Sequence, residues 1–483
     1  MLSNRYISAA LLLLLVCVTA AADHPRRHGA LRPLPVSEWG SGAPMLRRAA
    51  STIYSGERHQ LVILVAFKDN EFKAEAPAEL WGNIFNTKDF AEAPFVGSVH
   101  DYFYDQSYNL FDLKFDLHYI KLDKPYIDYH STYAGDDSGS GHLLIDLMEV
   151  MGSQVTDWSK YDWDDDGNVD QVLMLFPGKG QNDGGAHDAS IWAHQGALSY
   201  FKLDPVKFTQ GDKTYTVDRY GIFPELSGSG DYGSFGTLCH EYGHCLGLPD
   251  FYYGGNTSVV HKWDIMDYGN YNSGGYCPPA YSAHERMVLG WLTPTELTEP
   301  TTITNLKELN TSKQAYLIRN DAYANEYYIV ENRQQEGTKW DASLPGSGLV
   351  VFHIDYDTKV WREEVPNSAT YKRYAIIPAN GKKDNSTSAY WAYPYAGNNM
   401  LTNESTPAAE LLHANTDGSK LMSKPITNML VTNGIASFDF MGGASSVAPP
   451  SADLTSPFTV LYDLGPLRIV RMPNGEIRKV MKR

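Results

Sequence analysis

One short stretch constrains this chain more than any other, and it reads H-E-x-x-H-x-x-G-x-x-D from His240 to Asp250. Residues four apart on a helix share one face and lie about 6 Å apart along the axis, so His240 and His244 can bind one metal ion through two ring nitrogens. Glu241 is placed to take a proton from water. Gly247 predicts a left-handed turn after the helix, which brings Asp250 back as a third ligand. Three protein ligands and one open position describe a catalytic zinc rather than a structural one.

Two alternatives to this interpretation stay open. The pattern H-E-x-x-H also arises by chance on amphipathic helices, although the glycine and the acid at the expected offsets make chance less favoured. The third ligand could also be another acid, from a loop that the sequence does not identify, instead of Asp250.

A second stretch, Trp263 to Gly269, supports the first one and reads W-D-I-M-D-Y-G. Together the two are similar to the metzincin metallopeptidases, in which a methionine-containing turn lies beneath the zinc. The resemblance places Met266 in that turn. It also implies that Tyr268 is an extra ligand or an oxyanion donor. Taken alone, the stretch would be interpreted as a buried methionine and a surface tyrosine in a glycine-rich loop.

An acidic loop predicts a second metal, calcium. Its acids alternate and Gly167 stands at the sixth position, as in the first half of an EF-hand loop. The predicted oxygen ligands are Asp162, Asp164, Asp166, Asn168 and Asp170. The twelfth position is Leu173 instead of glutamate, so the loop is an incomplete EF-hand. The alternative is a solvated acidic turn, which is less favoured because so many neighbouring acids repel one another without a cation.

Charge and the first residues bear on the compartment. The net charge of −17 argues against nucleic acid or an anionic membrane surface as a partner. Residues 1–22 are predicted to be a signal peptide, with a basic start at Arg5, an apolar run over Ala9–Val18 and small residues before Asp23. A membrane anchor is the alternative, but the run is short for a span. We therefore expect a secreted or cell-surface protein.

Residues 23–57 are rich in proline, arginine, glycine and serine, and we predict a pro-segment there. They contain no cysteine, so a thiolate cannot block the zinc. The remaining candidates for a blocking residue are Asp23, His24, His28 and Glu38.

Three cysteines remain beyond the predicted signal peptide: Cys239, Cys245 and Cys277. The first two are about 9 Å apart along a helix, beyond the roughly 7 Å that a disulfide spans. The open alternatives are a pairing of Cys277 with one of them and three buried thiols.

Hydrophobic patterns outline the rest of the chain. They predict strands at 59–67, 110–120, 170–176 and 191–195, and helices at 80–85, 98–107, 142–151, 234–246 and 278–290. Ser234 is expected to cap the zinc helix. From about residue 300 the texture changes to short alternating runs, clearest at 327–333 and 348–355, which are typical of antiparallel sheet. His194, His353 and Asp355 lie in strands and are interpreted as structural.

The stretch Ser98–Tyr108 and the strands after residue 300 resemble the immune inhibitor A family of secreted zinc metallopeptidases. The resemblance covers about residues 58–440. It implies an α+β protein with a metzincin-like zincin catalytic domain, 58–299, followed by an antiparallel β-rich, sandwich-like domain, 300–441. Residues 442–457 are a predicted linker. The short basic tail, 458–483, resembles a truncated secretion sorting domain, which implies the secretion machinery as a partner; a solvated tail is the alternative.

These features predict a secreted zinc endopeptidase that hydrolyses extracellular proteins, with Glu241 as general base and acid and calcium as a structural ion. Protein or peptide substrates are the expected partners, with no transmembrane segment after signal cleavage. One alternative is a metal-binding adhesion protein without activity, which an intact Glu241 disfavours. Another is a zinc hydrolase that acts on a bond other than the peptide bond.

Overall fold

The computed structural model describes most of the chain from Thr52 onward. The described residues are 52–132, 135–254, 257–363, 366–443, 459–464, 467–471 and 477–481. The predicted signal peptide and most of the predicted pro-segment lie outside them. Among the described residues, no helix combines the length and the apolar character that crossing a bilayer requires.

A five-stranded sheet organises the first half of the protein. Its strands are β1 (Gly56–Ala66), β2 (Phe111–Lys121), β3 (Val172–Lys179), β4 (His194–Ala197) and β7 (Arg219–Leu226), and a separate hairpin consists of β5 (Val206–Gln210) and β6 (Lys213–Val217). The strand order is β2-β1-β3-β7-β4. All pairs are parallel except β4 with β7. The sheet therefore ends in one antiparallel edge strand.

Helices cover both faces of this sheet. They are α1 (Pro77–Asn86), α2 (Val99–Gln106), α3 (Ser138–Met151), α4 (Phe235–Cys245) and α5 (Ala283–Val288). The continuous apolar run of β1 explains why helices pack on both faces of the sheet. Val62 and Leu64 pack in a core with α1, α2 and α4, whereas Leu61 and Ile63 face the core that contains α3, because side chains alternate across a strand.

Two further sheets follow. Their strands are β8 (Thr295–Glu296), β9 (Thr301–Leu306), β10 (Tyr316–Arg319), β11 (Glu326–Arg333), β12 (Gly348–Asp355), β13 (Tyr374–Ile376), β14 (Ile426–Thr432) and β15 (Ile435–Phe440), with short helices α6 (Leu309–Ser312) and α7 (Thr358–Glu363). The orders are β13-β12-β11-β10-β8 and β14-β15-β9. Tyr328 and Val330 pack between these two sheets, so the predicted β-rich, sandwich-like region is present.

The larger of these sheets is buried on both faces. Tyr327 and Ile329 of β11 point away from the second sheet, into the core that also contains helix α4. Phe352 of β12 does the same. The hydrophobic core therefore continues without interruption across residue 300, where we predicted a domain boundary.

Three local predictions were wrong. Ser234 does not cap α4; its hydroxyl instead donates to the carbonyl of Glu225 at 2.9 Å. Helix α5 begins after Ser282 instead of at Pro278. The Ser282 side chain accepts from the backbone N–H of Glu285 in a capping box, and a proline side chain has no acceptor for this N–H. The strand predicted at 191–195 is β4, which begins at His194 instead of Ile191.

The three described cysteines are all free and buried, which decides between the two alternatives in favour of thiols. The predicted basic tail contains three strands, β16 (Thr459–Leu464), β17 (Leu467–Arg471) and β18 (Ile477–Met481). They pair antiparallel in that order.

A fully buried arginine joins the larger β-rich sheet to the chain segment before α5. Arg333 donates to both carboxylate oxygens of Asp341 at 2.7 Å and to the carbonyl of Ala280 at 2.9 Å. It also bonds Glu331 at 3.0 Å. One cation thus balances two buried carboxylates.

We expect Arg333→Met to lower the free energy of unfolding by about 3–5 kcal/mol, because it leaves two buried carboxylates without their cation. Denaturant unfolding followed by tryptophan fluorescence measures the loss. Lys68→Met is the control, since Lys68 forms an ion pair with Asp123 that is mostly exposed. Equal stability of the two variants would contradict the assigned role of Arg333.

Candidate metal centre and active site

Three predicted ligands lie together at the end of helix α4. Asp250 Oδ1 is 3.1 Å from His240 Nε2 and 3.3 Å from His244 Nε2. One ligand atom from each residue lies within 4.8 Å of the others, and all three residues are buried. The helix therefore presents both imidazoles to the carboxylate that the following bend returns.

Backbone carbonyls fix the orientation of both imidazoles. His240 Nδ1 bonds the carbonyl of Ile265 and His244 Nδ1 bonds the carbonyl of Leu248, each at 2.7 Å. A carbonyl can only accept, so each Nδ1 carries a proton, and each ring in its neutral form presents the Nε2 lone pair to Asp250. Two nitrogen lone pairs and a carboxylate facing one another require a proton or a cation between them. This donor set fits a divalent metal ion.

The bend after the helix forms as the glycine predicts. Gly247 has φ of +100°, a conformation that L side chains rarely adopt. The amide of Leu248 donates to the carbonyl of Gly243 at 3.1 Å, which closes the end of the helix. The same residue's carbonyl holds His244, so one turn both ends the helix and orients a ligand.

Glu241 lies beside this cluster and is 3% exposed. Its Oε2 atom is buried and accepts no hydrogen bond from the described residues. A buried carboxylate oxygen without a donor is costly unless water or a ligand supplies one. The role of Glu241 as a general base stays a prediction, and the buried Oε2 atom is compatible with it.

The charges around His240 change its pKa in the metal-free protein. Burial lowers this pKa, but the hydrogen bond to Asp250 and the negative charges of Glu241 and Asp250 outweigh burial and raise it to about 9. In the absence of metal, a proton on His240 takes the place of the cation at neutral pH.

Met266 lies beneath the metal-binding helix. A Cβ atom added to Gly243, between the two histidines, would stand 2.7 Å from Met266 Sδ. The carbonyl of Met266 also accepts from the amide of Phe251, the residue after Asp250, at 2.9 Å. The methionine turn thus touches both the helix and the bend, which agrees with the position expected from the resemblance.

The Tyr252 ring lies between Tyr268 and His240 of the predicted metal ligands. The ring centroid of Tyr268 is 6.2 Å from that of Tyr252, and the Tyr252 ring is stacked on His240 at 6.5 Å. The predicted role of Tyr268 as ligand or oxyanion donor stays a prediction. Tyr252 was not singled out from the sequence, and its position two residues after Asp250 was the available signal.

The acidic loop brings together three of its five predicted ligands. Carboxylate oxygens of Asp162, Asp164 and Asp166 lie within 4.8 Å of one another. Asp162 is buried and accepts from the amides of Asp166 and Gly167, both at 3.0 Å. Lys213 of the β5–β6 hairpin, not foreseen in the sequence, contacts Asp162 Oδ2 at 2.8 Å.

The other two predicted calcium ligands have backbone contacts. Asn168 donates its amide to Asp166 Oδ1 at 2.8 Å and pairs with Thr216 in an isolated bridge. Asp170 Oδ2 accepts from the amide of Trp163 at 2.6 Å. These contacts close the loop on itself. Calcium binding here stays a prediction.

Two histidines interpreted as structural have protein partners. His194 bonds the carbonyl of Trp192 at 2.8 Å and the hydroxyl of Tyr220 at 2.9 Å. His353 bonds Glu326 at 2.8 Å.

Residues 58–289 match the family described as immune inhibitor A peptidase M6, catalytic domain. Over this segment the chain is similar to the immune inhibitor A family. The match contains both the His240–Asp250 stretch and Met266. Because it ends at residue 289, the β-rich region lies beyond it.

Two relatives agree with this family. The chain is 30% identical over 148 residues to Immune inhibitor A of Bacillus thuringiensis subsp. alesti. It is 31% identical over 152 residues to Pre-pro-metalloprotease PrtV of Vibrio cholerae serotype O1 (strain M66-2). The alignments cover 28% and 27% of this chain but only 21% and 16% of the relatives, so most of each relative has no counterpart in them.

One solved structure, wild-type OgpA from Akkermansia muciniphila, aligns with 64% of this chain and 92% of its own. The sequence identity is 12% and the TM-score is 0.29, too low to support an argument about the fold.

The raised pKa of His240 predicts that metal binding at this candidate site depends on pH. A metal ion must displace the His240 proton, so we expect the apparent affinity for Zn²⁺ to fall about tenfold for each pH unit below about 9. Calorimetry in buffers of different ionisation enthalpy should show about one proton released per ion near neutral pH. Binding without proton release would contradict this assignment.

Proposed function

We propose that this protein is a zinc-dependent endopeptidase. One observation carries the proposal: the Nε2 atoms of His240 and His244 converge on Asp250 Oδ1, with both Nδ1 atoms anchored to carbonyls. This geometry lies inside a segment that belongs to a peptidase family.

Zinc suits this donor set better than calcium or magnesium do. Two imidazoles and one carboxylate leave one position open in a tetrahedral site, which is the arrangement of catalytic zinc. When bound, zinc supplies Lewis-acid chemistry, since it acidifies water and polarises a carbonyl oxygen. His240, His244 and Asp250 would hold it.

The residues around this position divide the remaining work. Glu241 accepts the proton of the attacking water on its Oε2 atom, which has no donor among the described residues, and then gives the proton to the leaving amine. Tyr268 is our proposal for a hydroxyl that donates to the developing oxyanion. The carbonyls of Ile265 and Leu248 keep the two imidazoles in place while this charge shifts.

An extended polypeptide is the substrate that the fold suits. Strand β4 (His194–Ala197) is the last strand of its sheet and runs antiparallel to β7. A peptide that adds to such an edge forms main-chain hydrogen bonds, which give affinity without strong sequence preference. An internal stretch of a polypeptide can pair in this way, and we therefore propose cleavage inside chains instead of at their ends.

The compartment and the activation route are also part of the proposal. We propose export through residues 1–22 and latency through residues 23–57, and the basic tail 458–483 as the contact with the secretion machinery. The chain spans about a fifth of the length of the relatives it matches. We therefore propose extracellular proteins as substrates from the sequence and site of this chain, and not from those relatives.

Glu241→Gln tests the mechanism. We expect kcat on a casein or mixed-peptide substrate to fall about 100- to 10,000-fold, because the amide cannot accept the proton. Bound zinc, measured by metal analysis, should not change. The control is Glu79→Gln at an exposed position of α1, with full activity expected. Full activity of Glu241→Gln would remove this residue from the mechanism, and a wild-type protein that binds zinc without cleaving would favour the adhesion alternative.

We further propose that the acidic loop binds a structural Ca²⁺ ion. Calcium at about 100 times its dissociation constant should stabilise the protein by about 2.7 kcal/mol, seen as a higher Tm. The double variant D164N/D166N should lose this response. Asp165→Asn is the matched control, because Asp165 is in the same loop but outside the cluster of converging carboxylates. A wild-type Tm that does not respond to calcium would refute the site.

A further inference from the structure

The two chain segments that support the metal centre are both in contact with the β-rich region. One is Phe251, which directly follows the predicted ligand Asp250. The other is Asp264, which begins the methionine turn. Both lie within the M6 segment, whereas the residues that touch them come from 367–374, beyond its end at residue 289.

Tyr374 of strand β13 contacts both segments at once. Its ring is stacked on that of Phe251, with centroids 3.8 Å apart and planes 19° from parallel. Its hydroxyl donates to Asp264 Oδ2 at 2.8 Å. Tyr374 is 0% exposed, so water does not substitute for either contact.

From Asp264 the contact continues to the first ligand. Asp264 Oδ1 accepts from the amide of Met266 at 2.8 Å, which shapes the turn around Ile265. The carbonyl of Ile265 is the group that accepts from His240 Nδ1. The orientation of this imidazole therefore depends on a turn that Tyr374 holds through one carboxylate.

From Phe251 the contact continues to the third ligand. Asn367 donates from its side-chain amide to the carbonyl of Phe251 at 2.8 Å. The same amide group binds Tyr374 twice, by accepting from its backbone N–H at 3.0 Å and donating to its carbonyl at 2.8 Å. Asn367 thus fastens the bend that delivers Asp250 to the strand that contains Tyr374.

We propose that Tyr374 is a positioning residue of the metal centre, which holds the His240-orienting turn through its hydroxyl and the Asp250 bend through its ring. The proposal rests on the function proposed above. Metal affinity and turnover then depend on the β-rich region, and a protein cut at the end of the M6 segment would keep the three predicted ligands but lose the contacts that support them.

Tyr374→Phe in the full-length chain tests this role, because it keeps the stacked ring and removes only the hydroxyl. Groups that orient metal ligands typically contribute 10- to 100-fold in affinity, and Tyr374 acts one step further out, so we expect about tenfold weaker Zn²⁺ binding in competition with a chelator. The absorption spectrum of the Co²⁺-substituted protein should change, and kcat should fall with little change in KM.

Tyr328→Phe is the matched control. Tyr328 is equally buried in the same sheet, but its hydroxyl donates to the carbonyl of Glu410 at 2.6 Å, on the face turned away from the catalytic core. Tyr374→Phe removes the hydrogen bonds of one buried hydroxyl to Asp264 and to Ser282 Oγ, and Tyr328→Phe removes the single bond of another. Neither hydroxyl touches a predicted metal ligand, so a purely structural role predicts the same metal affinity and Co²⁺ spectrum for both. That result would overturn the proposal.

Two further variants keep the test decisive. Asn367→Ala removes the hydrogen bond to the carbonyl of Phe251 and the two bonds to the backbone of Tyr374, and keeps both stacked rings and the Tyr374 hydroxyl. It too should weaken Zn²⁺ binding, which keeps the test decisive if Tyr374→Phe fails to fold. If Tyr374 acts through Asp264, Tyr374→Phe should lower the Zn²⁺ affinity of an Asp264→Asn variant only a little further. If the effects of the two substitutions on Zn²⁺ affinity add in full, Tyr374 does not act through Asp264. A wild-type chain that binds no Zn²⁺ refutes the proposed function itself, whereas a wild-type chain that binds it alongside unaffected variants refutes only the role of Tyr374.

Discussion

Two hydrogen bonds from imidazole to backbone carbonyl determine which ring nitrogens of His240 and His244 face Asp250. Because the Nδ1 atoms of His240 and His244 donate to carbonyls, both Nε2 lone pairs face Asp250. The acceptors repel one another until a cation or a proton enters, and the pKa of His240 is raised for this reason. The two carbonyls differ in origin. That of Leu248 belongs to the end of the same helix, whereas that of Ile265 comes from a turn further along the chain. The orientation of the His240 imidazole therefore depends on the order of that turn.

The position of the Ile265 turn depends on how the second half of the chain packs. Strands β11 and β12 are buried on both faces, one face against the smaller sheet and the other against the core that includes helix α4. Arg333 adds a buried charge network across the same junction. A sheet that shares its core with helix α4 cannot move freely with respect to it, so the β-rich region supports the helix that contains His240 and His244.

Much of this architecture could be predicted from local patterns. The period-2 and period-3.6 patterns located the main helices and strands, and the spacing of His240, His244 and Asp250 predicted their convergence. Two of the failures concern contacts between different elements of the fold. Ser234 was expected to cap α4, but its hydroxyl donates to the carbonyl of Glu225, on a neighbouring strand. Lys213 reaches the acidic loop from a hairpin, and no spacing rule connects the two. The start of α5 was a local error, because the capping pair Ser282 and Glu285 is visible in the sequence.

The sequence alone determined that two imidazoles share one face of a helix, that Gly247 turns the chain back and that Glu241 lies beside the first histidine. These are consequences of helical periodicity and of the conformational freedom of glycine, both of which act over a few residues. Only the tertiary structure decided which carbonyl orients His240 and which residue supports that carbonyl. Ile265 and His240 are 25 residues apart, and Tyr374 and Asp264 are 110 apart. Contacts at such separations form only when the sheets have packed, because the packed core, and not the local backbone, brings their atoms together.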